Sequence, residues 1–302
     1  MSFLEDHLNV AWLRPESALW DAIASRIIST QKISSPSLDL GCGNGIFSFI
    51  TAGGRCSPEY DWYRSAQTAG FWENRDIYDA FDGATNDEVV LREPDYLVDV
   101  GLDVKRNLLC QAAELHFYRQ LAVADANAAL PFRSSSFQSV FSNVLYWLRS
   151  PEFSFREIHR VLRPSGRALL CLMDRSFPDV ALTYKWRETG SNLLRLLNRG
   201  REQSVAWTIH GDEIHRLATM VGFEVVNHAR YISPLTLRVW DIGLRPVSPV
   251  LINVSRKLSP ADRAQFKAEW VGTLKPFLDE LFALEERGPM DGVFHFVCLE
   301  RK

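Results

Sequence analysis

The chain has 302 residues, 46% hydrophobic and 24% charged, with a formal net charge of -3. This is ordinary globular composition, able to fill a sizeable core. It lacks the broad basic surface that binding a phosphate backbone requires, so no nucleic acid is expected as a partner. Cys42, Cys56, Cys110, Cys171 and Cys298 are odd in number, scattered and without C-x-x-C spacing. That pattern excludes a disulfide framework and a zinc site, leaves no metal to expect, and suits a reducing, cytoplasmic setting. The start MSFLEDHLNVAW carries acidic residues where a signal peptide needs positive charge, and no apolar run reaches the roughly 18 residues of a membrane span.

Residues 1–36 read as a helical cover. A helix entered at Pro15 would pack Leu19 and Trp20 on the core, while Trp12 and Arg14 are candidates to touch an acceptor, Arg14 through a carboxylate or phosphate. Ser37 to Leu40 reads as a short buried strand running into Gly41-Cys42-Gly43-Asn44-Gly45. Glycines at this spacing let backbone N–H groups approach a ligand, and Asp39 can accept from the turn or from a cationic ligand group. A βα turn needing glycine only for packing is the alternative. A dinucleotide fingerprint would require glycine at position 46, which is Ile46.

About fifty residues, 50–94, then intervene before the next strand, far more than the 2–6 or so of a plain αβ connection. This insertion is rich in aromatics: Tyr60, Trp62, Tyr63, Phe71, Trp72, Tyr78 and Phe81. Tyr60, Trp62 and Tyr63 are candidates for an acceptor wall. Strand-like runs follow at Tyr96 to Leu102, Leu121 to Ala124, Ser139 to Ser142 and Arg167 to Met173, with helices expected over Arg106 to Tyr118 and Glu152 to Leu162. Strand and helix in alternation predict βαβ units and an open parallel sheet covered on both faces. Further on come a helix over Asp212 to Val221, a strand from Phe223 to Val226, and a last strand from Val293 to Leu299. Residues 230–290 read as a helical insertion between those two strands, one domain with the rest. In it, Phe266, Trp270, Leu274, Phe277 and Leu281 form an apolar stripe that suits core or the surface of a homodimer.

The string LDLGCGNG resembles the first cofactor motif of class I S-adenosylmethionine-dependent methyltransferases, and other motifs occur in that family's order. Gly101-Leu102-Asp103 closes a strand where the family places an acidic ribose ligand, followed here by Val104. Asp125 and Ala126 match the position that accepts from the adenine amino group and covers its ring. Asn143, Tyr146 and Trp147 lie in the exit loop of the fourth strand, and Glu157 to Gly166 resembles E-x-x-R-V-L-x-P-G-G with Ser165 in place of the first glycine. The branch most similar is the small-molecule one that includes the ubiquinone and menaquinone C-methyltransferases. The resemblance implies an α/β fold: a Rossmann-like, seven-stranded, mostly parallel sheet with helices on both faces, over which the aromatic-rich and helical insertions are expected to form a lid. It also implies S-adenosylmethionine as cofactor, bound by Asp39, Gly41, Cys42, Gly43, Asn44, Gly45, Asp103, Val104, Asp125, Ala126 and Asn143. The implied partner is a small-molecule acceptor met by Tyr146 and Trp147.

No catalytic base stands out. His159 and His116 sit in helices as packing residues, His210 precedes a helix start from which it can face the cleft, His7 enters only if the N-terminus folds over the site, and His215, His228 and His295 have no motif context. A non-catalytic cofactor-binding scaffold and a nucleotide-dependent oxidoreductase are the competing functions.

Overall fold

A computed structural model of the chain describes residues 2–65, 89–186, 188, 192, 194 and 207–302. Two helices come first, α1 (Phe3–Val10), capped by the Ser2 hydroxyl, and α2 (Pro15–Ile28), whose first position takes the proline that has no N–H to lose. The sheet then starts with β1 (Ser37–Leu40), which leads through the glycine-rich turn into α3 (Ile46–Thr51). A two-stranded antiparallel pair, β2 (Arg55–Cys56) and β3 (Val90–Arg92), stands apart from the main sheet.

The remaining elements are β4 (Val98–Asp103), α4 (Arg106–Glu114), β5 (Tyr118–Val123), β6 (Phe137–Ser142), α5 (Pro151–Val161), β7 (Leu162–Met173), α6 (Phe177–Val180), α7 (Leu182–Lys185), α8 (Gly211–Val221) and β8 (Phe223–Tyr231). After them come α9 (Pro234–Arg238), a π-helical stretch Val239–Leu244, α10 (Ser248–Ser255), α11 (Pro260–Leu284) and β9 (Phe294–Arg301).

The main sheet has seven strands in the order β5-β4-β1-β6-β7-β9-β8. The first five pair in parallel, and β9 runs antiparallel to both β7 and β8. This is an α/β, Rossmann-like, mostly parallel sheet with helices on both faces. The chain leaves β1 toward β4 and β5 and returns to β6 on the opposite side of β1. In open sheets of this kind the cleft outside the carboxyl ends of the strands flanking that reversal is where ligands bind.

Alternation along β7 and β9 divides the core. Leu169, Cys171, Met173, Phe294, Phe296 and Cys298 face the cluster under α1, α2 and α9. Ala168, Leu170, Leu172, Val297 and Leu299 face the one under α5 and α8. Full burial of each large side chain there contributes on the order of 1.5–3 kcal/mol.

Several boundaries differ from the sequence reading. The helix expected to reach Tyr118 stops at Glu114, because His116 takes a left-handed φ of 50° and Tyr118 pairs with Val98 to open β5. β8 continues five residues past Val226 to Tyr231, since β9 offers it partners along its whole length. In α11 the inward stripe passes through Leu278, which is buried, and not Phe277, which is 46% exposed. A four-residue step from Leu274 keeps one helix face inward, and 278 is that step. α11 lies against α1 and α2. No helix among the described residues is long and apolar enough to cross a membrane.

Candidate active site

The turn after β1 is tied to its neighbour strand. The N–H groups of Gly41 and Cys42 both donate to Leu102 O, at 2.7 and 3.0 Å, and Gly45 N–H donates to Cys42 O at 2.9 Å. Gly41, Gly43 and Gly45 have φ of 80°, 56° and 77°, in the left-handed region. What surrounds them differs. A Cβ on Gly45 would stand 2.8 Å from the Tyr118 ring and 3.2 Å from Leu115, so this glycine lets α3 pack on α4 and β5. A Cβ on Gly43 would meet only Leu108, at 4.0 Å, so this residue borders open space. The Asn44 carboxamide accepts from Ile46 N–H at 3.3 Å, and Cys42 is a buried thiol that burial pushes well above its ordinary range.

Asp39 is buried and turned away from that space. It accepts from Ser48 Oγ at 2.5 Å and Tyr118 Oη at 2.7 Å, so it braces α3 and β5. Burial pushes its carboxyl up to about 6 against the pull of those two bonds. Asp103, by contrast, stands at the carboxyl end of β4. Its Oδ2 accepts from Gly43 N–H at 2.9 Å and its Oδ1 from Lys105 N–H at 2.8 Å. Each oxygen keeps a second lone pair, so the carboxylate can fix the turn and still accept two hydroxyl donors. Val104 beside it is 59% exposed.

Across the cleft, Asp125 is exposed and its Oδ1 accepts from the backbone and side chain of Asn127, at 2.8 and 2.9 Å, which lowers its pKa. Ala126 packs on the core beneath. The E-x-x-R pair explains itself here: Glu157 accepts from Leu130 N–H at 2.7 Å, while Arg160 donates to Phe132 O and Leu130 O at 2.7 and 3.0 Å. Together they clamp the loop that follows Asp125. Asn143, just past β6, has a buried Oδ1 with no hydrogen-bond partner among the described residues. An orphaned buried acceptor is costly, and its place beside the turn suits a ligand donor.

The residues proposed for the acceptor fall into two groups. Trp12, Tyr60, Trp62 and Tyr63 are buried in the cluster that joins α3 to α10 and α11. Trp12 Nε1 donates to Asp61 at 3.1 Å, Arg263 pairs with Asp61 at 2.5 Å, and Trp62 Nε1 donates to Gln111 at 2.9 Å. Arg14 is engaged by Glu16 at 3.0 Å. Phe71, Trp72, Tyr78 and Phe81 lie outside the described residues. Tyr146 stands edge-on to Phe294 with centroids 5.2 Å apart, and Trp147 next to it is 43% exposed. His210 caps α8 in a reciprocal box with Glu213, its ring accepting from Asp212 N–H at 3.4 Å.

One constellation has no signal in the sequence. Asp174, after β7, accepts from His295 Nε2 at 2.7 Å; His295 Nδ1 meets His228 Nε2 at 2.9 Å, and His228 Nδ1 meets His215 Nε2 at 3.1 Å. With neutral rings each histidine donates Nε2–H toward Asp174. Burial raises the Asp174 pKa, but the bonds from His295 and Ser176 hold it well below the carboxylate range. Burial above all, and then the neighbouring His295, His215 and Arg230, bring His228 down to about 4. Among the described residues no group of three or more His, Cys, Asp or Glu is arranged to hold a metal ion.

Residues 95–170 match the family described as a methyltransferase domain. No curated protein sequence matches the chain. Among solved structures, it is similar to a SAM-dependent methyltransferase from Thermotoga maritima at 12% identity, covering 97% of this chain and 92% of that one with a TM-score of 0.46. It is similar to an S-adenosylmethionine-dependent methyltransferase from Mesorhizobium loti at 15% identity, covering 94% and 100% with a TM-score of 0.45. A TehB-like SAM-dependent methyltransferase from Corynebacterium glutamicum shares 13% identity over 93% and 88%, with a TM-score of 0.42.

Proposed function

We propose that this chain, which carries a methyltransferase domain over residues 95–170, uses S-adenosylmethionine to methylate a small molecule. The observation that carries the reading is the convergence of the open Gly43, the half-satisfied Asp103 and the orphaned Asn143 Oδ1 at the carboxyl edge of β1, β4 and β6. These residues fit the cofactor. Asp103 would take the two ribose hydroxyls, the Gly41 to Gly45 backbone and Asn143 the amino-acid end, and Asp125 the adenine amino group, with Val104 and Ala126 against the ring. When bound, the cofactor supplies an electrophilic methyl group on a sulfonium sulfur. The protein's own task is alignment, which can supply on the order of 7–11 kcal/mol of a barrier.

A small acceptor suits the net charge of -3 and the flanking Tyr146 and Trp147. A dinucleotide is disfavoured by Ile46 and by the crowding at Gly45. Calorimetry with S-adenosylmethionine, S-adenosylhomocysteine and NADP tests the reading. The two sulfur ligands should bind and NADP should not. Asp103→Asn should weaken S-adenosylhomocysteine by about 10–150-fold, the worth of one hydrogen bond to a charged group. Unchanged affinity in that variant would remove the basis of the assignment. A methylated product found by mass spectrometry separates an enzyme from a scaffold.

A further inference from the structure

A cleft of about 330 Å³ opens at the amino edge of the sheet, beside the first residues of β6 and β7 and past the end of α2. Alternation explains its floor. Ser139, Arg167 and Glu300 face the same side of the sheet as Phe141, Leu169 and Cys298, two residues away on each strand, and the register sets them side by side on β6, β7 and β9. The inner row of three is apolar core under α1 and α2, and the outer row is polar. Lys32 and Ser34, between α2 and β1, and Ser165, near the start of β7, line the cleft around that row.

Several donors there are unused. Arg167 Nε donates to Glu300 at 3.0 Å, while its two terminal nitrogens have no partner among the described residues. Lys32 is exposed and makes no hydrogen bond or ion pair among them. Ser139 is only 2% exposed. Its Oγ accepts from Ser34 N–H at 2.8 Å, yet its own O–H meets no acceptor among the described residues. Buried polar groups are as a rule hydrogen-bonded, so this hydroxyl is a donor open to a ligand. Ser165 adds a backbone signal. Its φ of 59° is a conformation in which glycine is unpenalised, and the chain places a hydroxyl-bearing side chain there, with its carbonyl accepting from Gln138 Nε2 at 3.2 Å. A strained residue on a cleft wall points to use.

We propose that this cleft binds a small phosphate monoester with a hydroxylated body, a site independent of the methyltransferase reading above. Two cations, Lys32 and Arg167, face one carboxylate, Glu300, so the surplus charge is positive and the ligand is an anion. A phosphoryl group brings about -1.5 to -2 of charge and three acceptor oxygens, enough for Lys32, the Arg167 terminal N–H groups and the Ser139 hydroxyl together. Among the described residues none that lines the cleft is aromatic or aliphatic, so a nucleobase or an acyl chain finds nothing to pack on. Ser34, Gln138 and Ser165 offer hydrogen bonds to hydroxyl groups instead. The volume lies near the lower end of the roughly 300–1,000 Å³ of small-molecule sites, which suits a sugar phosphate. β6 carries the cleft at its amino end and Asn143 past its carboxyl end, so this ligand and one in the active-site cleft can be bound at once.

Calorimetry on the full chain in chloride buffer tests this with glucose 6-phosphate, ribose 5-phosphate and glycerol 3-phosphate, beside glucose and inorganic phosphate. At least one ester should bind, more tightly than inorganic phosphate, and glucose should give no heat. Lys32→Ala should weaken that ester by about tenfold, the low end for a hydrogen bond to a charged group because Lys32 is exposed. Lys32 has no native partner to lose, so the variant should unfold at the same urea concentration as wild type. Ser165→Gly should weaken the ester by about 2–10-fold, the worth of one neutral hydrogen bond. S-adenosylhomocysteine should bind all three proteins alike. Absence of ester binding at millimolar concentration, inorganic phosphate or glucose binding as tightly as the esters, or unchanged ester affinity in Lys32→Ala overturns the proposal. Failure of the wild type to bind S-adenosylhomocysteine overturns the methyltransferase reading and not this one.

Discussion

Replacing Gly41 with alanine tests how the glycine-rich turn is held. Its φ of 80° puts any side chain in the left-handed region, at about 1–2 kcal/mol. Space adds to this. An ideal Cβ would sit 2.0 Å from Val144 Cγ2, 3.2 Å from its Cβ and 3.3 Å from its Cγ1, against an optimum of about 3.5–4.0 Å between carbons. Overpacking of that kind costs about 1–3 kcal/mol, so Gly41→Ala should destabilise by about 2–5 kcal/mol in all. Val144→Ala removes Cγ1 and Cγ2 and leaves only the Cβ contact. The double variant should therefore be about 1–3 kcal/mol more stable than the sum of the single changes, while the φ penalty remains. Urea melts followed by tryptophan fluorescence read this as midpoints at unchanged slope. Additivity within about 0.5 kcal/mol would show that Val144 does not sit on Gly41 as described.

Other expectations follow from the polar network and the backbone. His7, buried against Ser25 at 2.8 Å, is pushed down to about 3 by burial, and His228 to about 4, from an ordinary 6.5. The unfolded chain therefore takes up protons first, and the stability these rings contribute is present above about 6.5 and lost as pH falls toward 4 and 3. Asp21 and Asp39 act in the opposite direction because their carboxyls are raised, so the measurement is the difference in slope between wild type and His228→Asn over pH 6.5 to 4. An identical slope would contradict the packing of His228 between His215 and His295. Asp61→Ala leaves Arg263, 8% exposed, buried without its partner and should cost about 3–5 kcal/mol, with the Asp61→Ala/Arg263→Ala pair costing less than the sum in urea melts. Ser165 has a φ of 59°, so Ser165→Gly trades a left-handed penalty of about 1–2 kcal/mol for a chain-entropy cost of about 0.5–1 kcal/mol, and a small rise in urea midpoint is expected.

Much of the fold was legible in local chemistry. Strands buried on both faces read as unbroken apolar runs, and β1 ends in glycines because the turn to α3 needs left-handed backbone at three nearby positions. Glu157 and Arg160 were visible as a motif, though their task of clamping the loop at Leu130 and Phe132 was not. Residues 60 to 63 show the limit. Aromatic surface in a long insertion reads equally as a ligand wall and as core, and only the arrival of Arg263 and Lys267 from α11, some two hundred residues on, shows what Asp61 and Tyr60 pack beneath.

The sequence by itself determined the strand and helix alternation and the chemistry of the glycine-rich turn, because both rest on neighbours a few residues apart. Tertiary structure alone decided that Asp39 braces Tyr118 across 79 residues and that three histidines without motif context form one chain to Asp174. Hydrogen bonds and desolvation act through space, so they leave no period in the chain from which to read them.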